Sequence, residues 1–464
     1  MTNSNSPSGI RHPTPVTPLS RYWLLLGVMA LAVAGLFAFA LVFARTPELT
    51  QIEIFDDIFH KALVVHVDLS VLVWFLSIAC LMWSLLGSGG QVFPFIEEAA
   101  LISFGLGALL IALSPLDPRG VALMSNYIPV LMSPVFFLGL ALVLCGVLLM
   151  LVKAVIGGRR PAAGDSMLPE TLRWPLLASA CVAFMAITAF VWSFRQMPAD
   201  TLGQPRYDLM FWGGGHGLQF VHVQVMMVCW VLLTQQMPEV RGQMSKKTPT
   251  SNIWFLTSIF SIGLVVALAT PLPYLLYDVT SSEHRLFFTR MMTWAGGIAP
   301  LLLGLLILPA LWPMRKNALW ATLAASILLF FYGGALGGMI RGQNVTIPAH
   351  YHGSIVGVTL AFMGMAYLLL PQFGWRNVTG WRLAFWQPII YGGGQILHIT
   401  GLAISGGYGV LRKTPGGFAH VSPAVKAAMG LMGIGGLLAI AGGFMFVYII
   451  LRAAKRQRRV GFVE

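Results

Sequence analysis

The stretch TIPAHYHGSIVG, residues 346–357, sets His350 and His352 two residues apart at the head of an apolar run. An α-helix turns about 100° per residue, so the two imidazoles point about 200° apart and cannot share one metal ion. They can serve two partners on opposite faces of one helix. His66, His216 and His398 also lie inside apolar runs. Imidazole is a metal ligand, and it is costly in hydrocarbon unless it has a partner. The four cysteines, Cys80, Cys145, Cys181 and Cys229, show no C-x-x-C or C-x-x-C-H spacing. Disulfides and covalently attached c-type haem are therefore not expected.

The elements that must position these side chains follow from composition. The chain is 57% hydrophobic and 10% charged, with a mean hydropathy of +0.78. Soluble domains carry roughly 25% charge, so this is a polytopic membrane protein. About twelve apolar segments are long enough to span a ~30 Å hydrocarbon core. The expected fold is all-α, a bundle of about twelve transmembrane helices over residues 21–452. The polar, Ser/Thr/Pro-rich residues 1–20 read as a disordered tail and residues 453–464 as a basic tail. About 18 of the 29 Lys and Arg fall on the side holding both ends, which makes both termini cytoplasmic by the positive-inside rule. The net charge of +13 is mostly this bias. No basic face lies outside the membrane-proximal loops, so no nucleic-acid partner is expected.

In that topology the second, sixth and tenth spans run from outside to inside. They carry His66, His216 and the His350/His352 pair near their outer ends. The eleventh runs back and carries His398 about eight residues before its outer end. The side chains can share one layer about 10–15 Å below the outer surface, which places the expected sites in the outer half of the membrane. A single intramembrane histidine is often just a helix-to-helix hydrogen bond. Five on four helices at similar depth explain themselves better as holders of planar cofactors standing side by side. Glycine runs such as FWGGG and YGGALGG recur at span ends and mark close packing or broken backbone.

At this point the residues resemble a family. FFYGGALGGMIRGQNV followed by IPAHYHGSIVGVTLAFMGMAYLLLP resembles the ninth and tenth helices of the catalytic subunit I of haem–copper oxidases, with its His-x-His. HVDLSVLVWFL, NYIPVLMSPVFFLGL, FWGGGHGLQF and GQILHITGLAISGGYG extend the likeness in order over most of the chain. The resemblance implies two haems of unspecified type. His66 and His352 would be axial ligands of a six-coordinate, low-spin haem, and His350 the proximal ligand of a five-coordinate haem that binds a gas. His216 would match a ligand of the distal metal, and Arg412 and Lys413 the basic pair that holds haem propionates.

Departures from the family pattern concentrate on the distal metal. Leu272 and Pro273 stand where the family places adjacent histidines near the outer end of its seventh helix, which puts a distal copper or non-haem iron in doubt. His284, Glu283 and His222 are the remaining candidates to substitute. His284 falls past the loop, and His222 lies about 240° round the helix from His216. Phe220 replaces the tyrosine of conventional oxidases, no glutamate of the nitric oxide reductase kind is present in this span, and Gln219 is the nearest polar neighbour. Glu97 and Glu98 are the main intramembrane acids available for a proton channel.

Two functional classes follow. The first is a respiratory-type oxidoreductase of the cytochrome c oxidase or nitric oxide reductase kind. It would take electrons from a cytochrome c, a cupredoxin-like protein or a quinol, and pass them through the low-spin haem to O2 or NO. A small accessory subunit and a bacterial inner (plasma) membrane location belong to this expectation. The second is a non-catalytic haem protein of the same fold, an electron conduit or gas sensor that has lost the distal copper site. A transporter with histidine proton relays is disfavoured, because the layer lacks paired acids.

Overall fold

The computed structural model describes residues 19–44, 54–87, 94–159, 168–235, 252–311, 317–411 and 422–455. The expected tails fall almost wholly outside them. Among the described residues, eleven helical segments are long and apolar enough to cross a membrane. They are built from α1 (Ser20–Ala44), α2 (Ile54–Val67) joined through a π-helix (Asp68–Val73) to α3 (Trp74–Ser84), α4 (Pro94–Leu113), α5 (Pro134–Gly158), α6 (Glu170–Gln196) and α7 (Gly203–Gln235). They continue through α8 (Ile253–Leu268), α9 (Pro271–Leu276), α10 (Ser282–Ala295), α11 (Ile298–Leu311), α12 (Ala318–Gly337), α13 (Thr346–Leu369) and α15 (Pro423–Ala454). The helix α14 (Arg382–Gly407) completes a twelve-span bundle. Its 26 residues are long enough to cross, and its glycines, glutamines and His398 make it more polar than the rest.

Local chemistry explains where the helices start and break. Asn252 and Asn317 cap α8 and α12 by accepting from backbone N–H groups at their first turns. Two spans expected as single helices are interrupted. Pro271 and Pro273 restart the chain as α9, because proline cannot continue the preceding hydrogen-bond ladder. The pair Gly296–Gly297 separates α10 from α11. By contrast, α7 runs unbroken through FWGGGHG, so its glycines serve close packing.

Polar bonds tie the buried aromatic core together across helices. Trp83 Nε1 donates to Ser179 Oγ at 2.9 Å, and Trp230 Nε1 to Ser326 Oγ at 2.8 Å. The first and last helices pack against one another, α1 on α2, α3 and α15, while α14 lies against α12, α13 and α15. A small antiparallel hairpin, β1 (Val121–Leu123) and β2 (Val130–Met132), pairs Val121 with Met132 and Leu123 with Val130. It follows α4, and its tip, residues 124–129, contributes to the cavity wall.

Of the two acids considered for a proton channel, Glu98 is exposed. Glu97 forms an ion pair with Lys153 of α5, the two side chains being 1% and 4% exposed. Removing one member leaves a buried, unmatched charge. Lys153→Met is expected to destabilise the protein by about 3–5 kcal/mol, and adding Glu97→Gln should restore most of the loss. Thermal denaturation of the purified protein in detergent measures both.

Candidate functional site: a histidine-lined cavity

Each imidazole of the expected layer is oriented by the main chain. His66, in the last turn of α2, donates through Nδ1 to the Ala34 carbonyl of α1 at 2.8 Å. The π-helix begins two residues later, and Ser70 Oγ donates to the His66 carbonyl at 2.6 Å. That bond occupies an acceptor where the regular ladder is disturbed. On α13, His350 Nδ1 donates to the Gly333 carbonyl at 2.7 Å and His352 Nδ1 to the Pro348 carbonyl at 2.8 Å. His398 Nδ1 donates to the Met432 carbonyl at 2.9 Å, and His216 Nδ1 to the Trp212 carbonyl at 2.7 Å. A carbonyl carries no proton, so in all five rings Nδ1 is the N–H and the lone pair belongs to Nε2. This is how a metal-ligating histidine is prepared.

The glycines of YGGALGG make room for His350. A Cβ on Gly337 would stand 2.7 Å from His350 Nδ1, and Gly333 packs its backbone against Gly353 while its carbonyl takes the imidazole proton. A side chain at either position would push α13 away from α12.

His66, His216, His222, His350, His352 and His398 line one continuous cavity of about 2440 Å³. Ordinary small-ligand pockets hold about 300–1,000 Å³, so this space accommodates more than one large ligand. Its walls are mostly apolar, with the imidazoles interspersed among polar side chains such as Gln219, Gln395 and Tyr391. Imidazoles that present Nε2 lone pairs to a large, mostly apolar cavity suit the ligation of haem iron, the cofactor class that the fold implies. His352 and His398 are neighbours, with ring centroids 5.2 Å apart. Sequence reasoning put His398 in the same expected layer as the other histidines but named no companion for it.

The distal side differs from its expected composition. His216 Nε2 accepts a hydrogen bond from the Tyr127 hydroxyl at 2.9 Å. Tyr127 sits at the hairpin tip with φ +68°, the one non-glycine residue with positive φ among the described residues. A Cβ on Gly215 would collide with the Tyr127 ring, so the glycine beside His216 is a notch for that ring. Burial pushes the phenol pKa up, which keeps it a hydrogen-bond donor. Sequence reasoning missed Tyr127, although a small residue directly before a candidate ligand was a signal that something approaches there.

The expected substitutes do not gather at His216. Leu272 is 48% exposed and points away from the core, and Pro273 brings no side-chain donor. His284 is buried against Tyr274 and Phe288, with neither ring nitrogen hydrogen-bonded. His222 lines the cavity but packs its ring on Phe75 at 4.8 Å. Gln219 lines the cavity one turn along α7 from His216. Glu283 stands in the first turn of α10, beside His284. Among the described residues no three His, Cys, Asp or Glu side chains converge as a metal site. Arg412 and Lys413 lie outside the described residues. The strand pairing of Asn344 with Leu411 brings the chain just before them alongside the start of α13.

Comparisons with known proteins agree with this architecture. Residues 19–438 match the family described as cytochrome c and quinol oxidase polypeptide I. An uncharacterized protein of Rickettsia prowazekii (strain Madrid E) is 32% identical over 93% of this chain and 95% of its own. An uncharacterized protein of Aquifex aeolicus (strain VF5) is 26% identical over 77% of this chain and 86% of its own. The cryo-EM structure of a heme-copper terminal oxidase dimer shares the fold, with a TM-score of 0.67 at 16% identity, covering 96% of this chain and 85% of that one.

Proposed function

The chain belongs to the cytochrome c and quinol oxidase polypeptide I family, and from that premise we propose that it is a respiratory-type membrane haem oxidoreductase. His66 and His352 would hold a haem that carries electrons, and His350 would hold a haem that binds O2 or NO. The observation that carries this reading is the shared cavity into which carbonyl-anchored imidazoles converge from α2, α7, α13 and α14.

When bound, the haems supply one-electron carriage and gas activation. The protein's own contribution is orientation and exclusion of water. The Ala34 and Pro348 carbonyls stop the rings of His66 and His352 from rotating about their side-chain torsions. The Gly333 carbonyl does the same for His350, which projects from the opposite face of α13. Arg412 and Lys413 are the cations assigned to the propionates. Electrons come from a cytochrome c, a cupredoxin-like protein or a quinol on the outer side of a bacterial plasma membrane, with both termini cytoplasmic and a small accessory subunit alongside.

A second reading, a gas-binding or electron-conducting haem protein without turnover, is favoured by one observation. His216 has its Nε2 engaged by Tyr127, and the α9 stretch offers no replacement ligand. Optical and metal analysis of the purified protein tests the shared premise. The expected result is two haems per chain, one low-spin and one reactive with CO, with copper and non-haem iron well below one per chain. Protein without haem would sink both readings. Slow or absent O2 consumption is expected from the incomplete ligand set, with any turnover directed at NO.

A further inference from the structure

A hairpin that drives one tyrosine into a notch beside a candidate metal ligand is built for more than filling space. Its base is latched by Asp117, whose carboxylate accepts from the Arg119 N–H at 3.0 Å, Arg119 Nε at 3.2 Å and Ser133 Oγ at 2.8 Å. The Arg119 bonds, with Ser133 behind them, hold that carboxyl down at about 2. The tip is fastened to α7 by the Asn126 N–H donating to Asp208 Oδ1 at 2.6 Å, and closed on itself by Ser125 Oγ donating to the Ile128 carbonyl at 2.5 Å. These anchors hold Tyr127 in a left-handed backbone conformation that costs of order 1–3 kcal/mol for a non-glycine residue. Such strain persists only where the surroundings impose it.

We propose that Tyr127 and His216 form a metal-free distal pair, in which the Tyr127 hydroxyl takes the place of a second metal ion and recognises a haem-bound diatomic gas by a hydrogen bond. The inference rests on the reading of His350 as the ligand of a gas-binding haem. His216 Nδ1 is spent on the Trp212 carbonyl, so its Nε2 can only accept, and the phenol supplies the proton it accepts. With that bond in place His216 Nε2 is engaged, and among the described residues no second and third ligand stand beside it to complete a copper or iron site. The His216 ring is flanked by Trp212 and Phe288, with centroids 5.0 and 5.9 Å away, which fixes the plane in which it meets the phenol. Tyr127 and His216 line the same cavity as His350. The hydroxyl hydrogen can turn about its C–O bond toward an acceptor that enters this part of the cavity. A haem-bound diatomic that carries partial negative charge on its outer atom is an acceptor for such a hydroxyl.

The test uses the full, haem-loaded chain. Tyr127→Phe keeps the ring in the Gly215 notch and removes the hydroxyl. The expected result is a C–O stretch of the ferrous CO complex shifted to higher frequency, and NO release about tenfold faster, the effect of one lost hydrogen bond. Gly215→Ala expels the ring from its notch and should reproduce both changes with the tyrosine still present. An unchanged C–O stretch and NO release rate in Tyr127→Phe would overturn the proposal, as would one copper per wild-type chain that is lost on His216→Ala. If CO binding itself survives His350→Ala, the underlying haem assignment fails instead, which separates the two failures.

Discussion

Replacing His352 by leucine is expected to abolish the sharp reduced-state band of a bis-histidine haem and to leave CO binding at the second proposed haem in place. Leucine has no donor atom, and its volume is close enough to imidazole's to spare the packing of α13. The low-spin state needs two strong axial nitrogens, so losing one removes the signature outright. His66→Leu should give the same spectrum from the other side, because its Nε2 is equally fixed by the Ala34 carbonyl. His398 is a neighbour able to answer for His352, with its ring centroid 5.2 Å away and the same Nδ1–H tautomer. The His352→Leu/His398→Leu protein therefore closes the route of ligand replacement. Spectra of the dithionite-reduced proteins decide the matter. An unchanged low-spin band in both the His66 and His352 variants would place the ligands elsewhere.

His350→Ala is expected to remove the CO difference spectrum and to retain the low-spin band. A five-coordinate haem has a single protein ligand, so truncating that ligand costs the whole site. His350 faces away from His352 on the helix, and its acceptor Gly333 belongs to α12, whereas His352 bonds within its own helix. The two sites are mechanically separate although only one residue lies between them. Loss of both signals together would mean that α13 had moved as a unit. Haem retention measured alongside the spectra distinguishes that outcome from loss of one ligand.

Much of this arrangement is legible in the sequence because a bilayer restricts the possibilities. Apolar length gives the spans, and helical rise converts position along a span into an expected depth. Depth is what placed His66, His216, His350, His352 and His398 in one layer. Lateral neighbours are a different matter, since they depend on which helices touch. Tyr127 meets His216 across 89 positions of chain, and Lys153 meets Glu97 across 56. Nothing local in either stretch names its partner. The FWGGGHG run illustrates the limit. Glycine announces either a break or a close approach, and only the Tyr127 ring seated against Gly215 decides between them.

The acceptors of the five anchored imidazoles are carbonyls of Ala34, Trp212, Gly333, Pro348 and Met432, five different residue types. The hydrogen bonds are thus indifferent to side-chain identity at the accepting position. Sequence drift can exchange an acceptor residue for one of similar bulk without deleting its bond, because every amino acid carries the same carbonyl. What the lineage must preserve is the course of the backbone. Inheritance of the site is therefore written in helix trajectories, and lesions that bend α1, α12 or α15 would be as damaging as loss of a histidine.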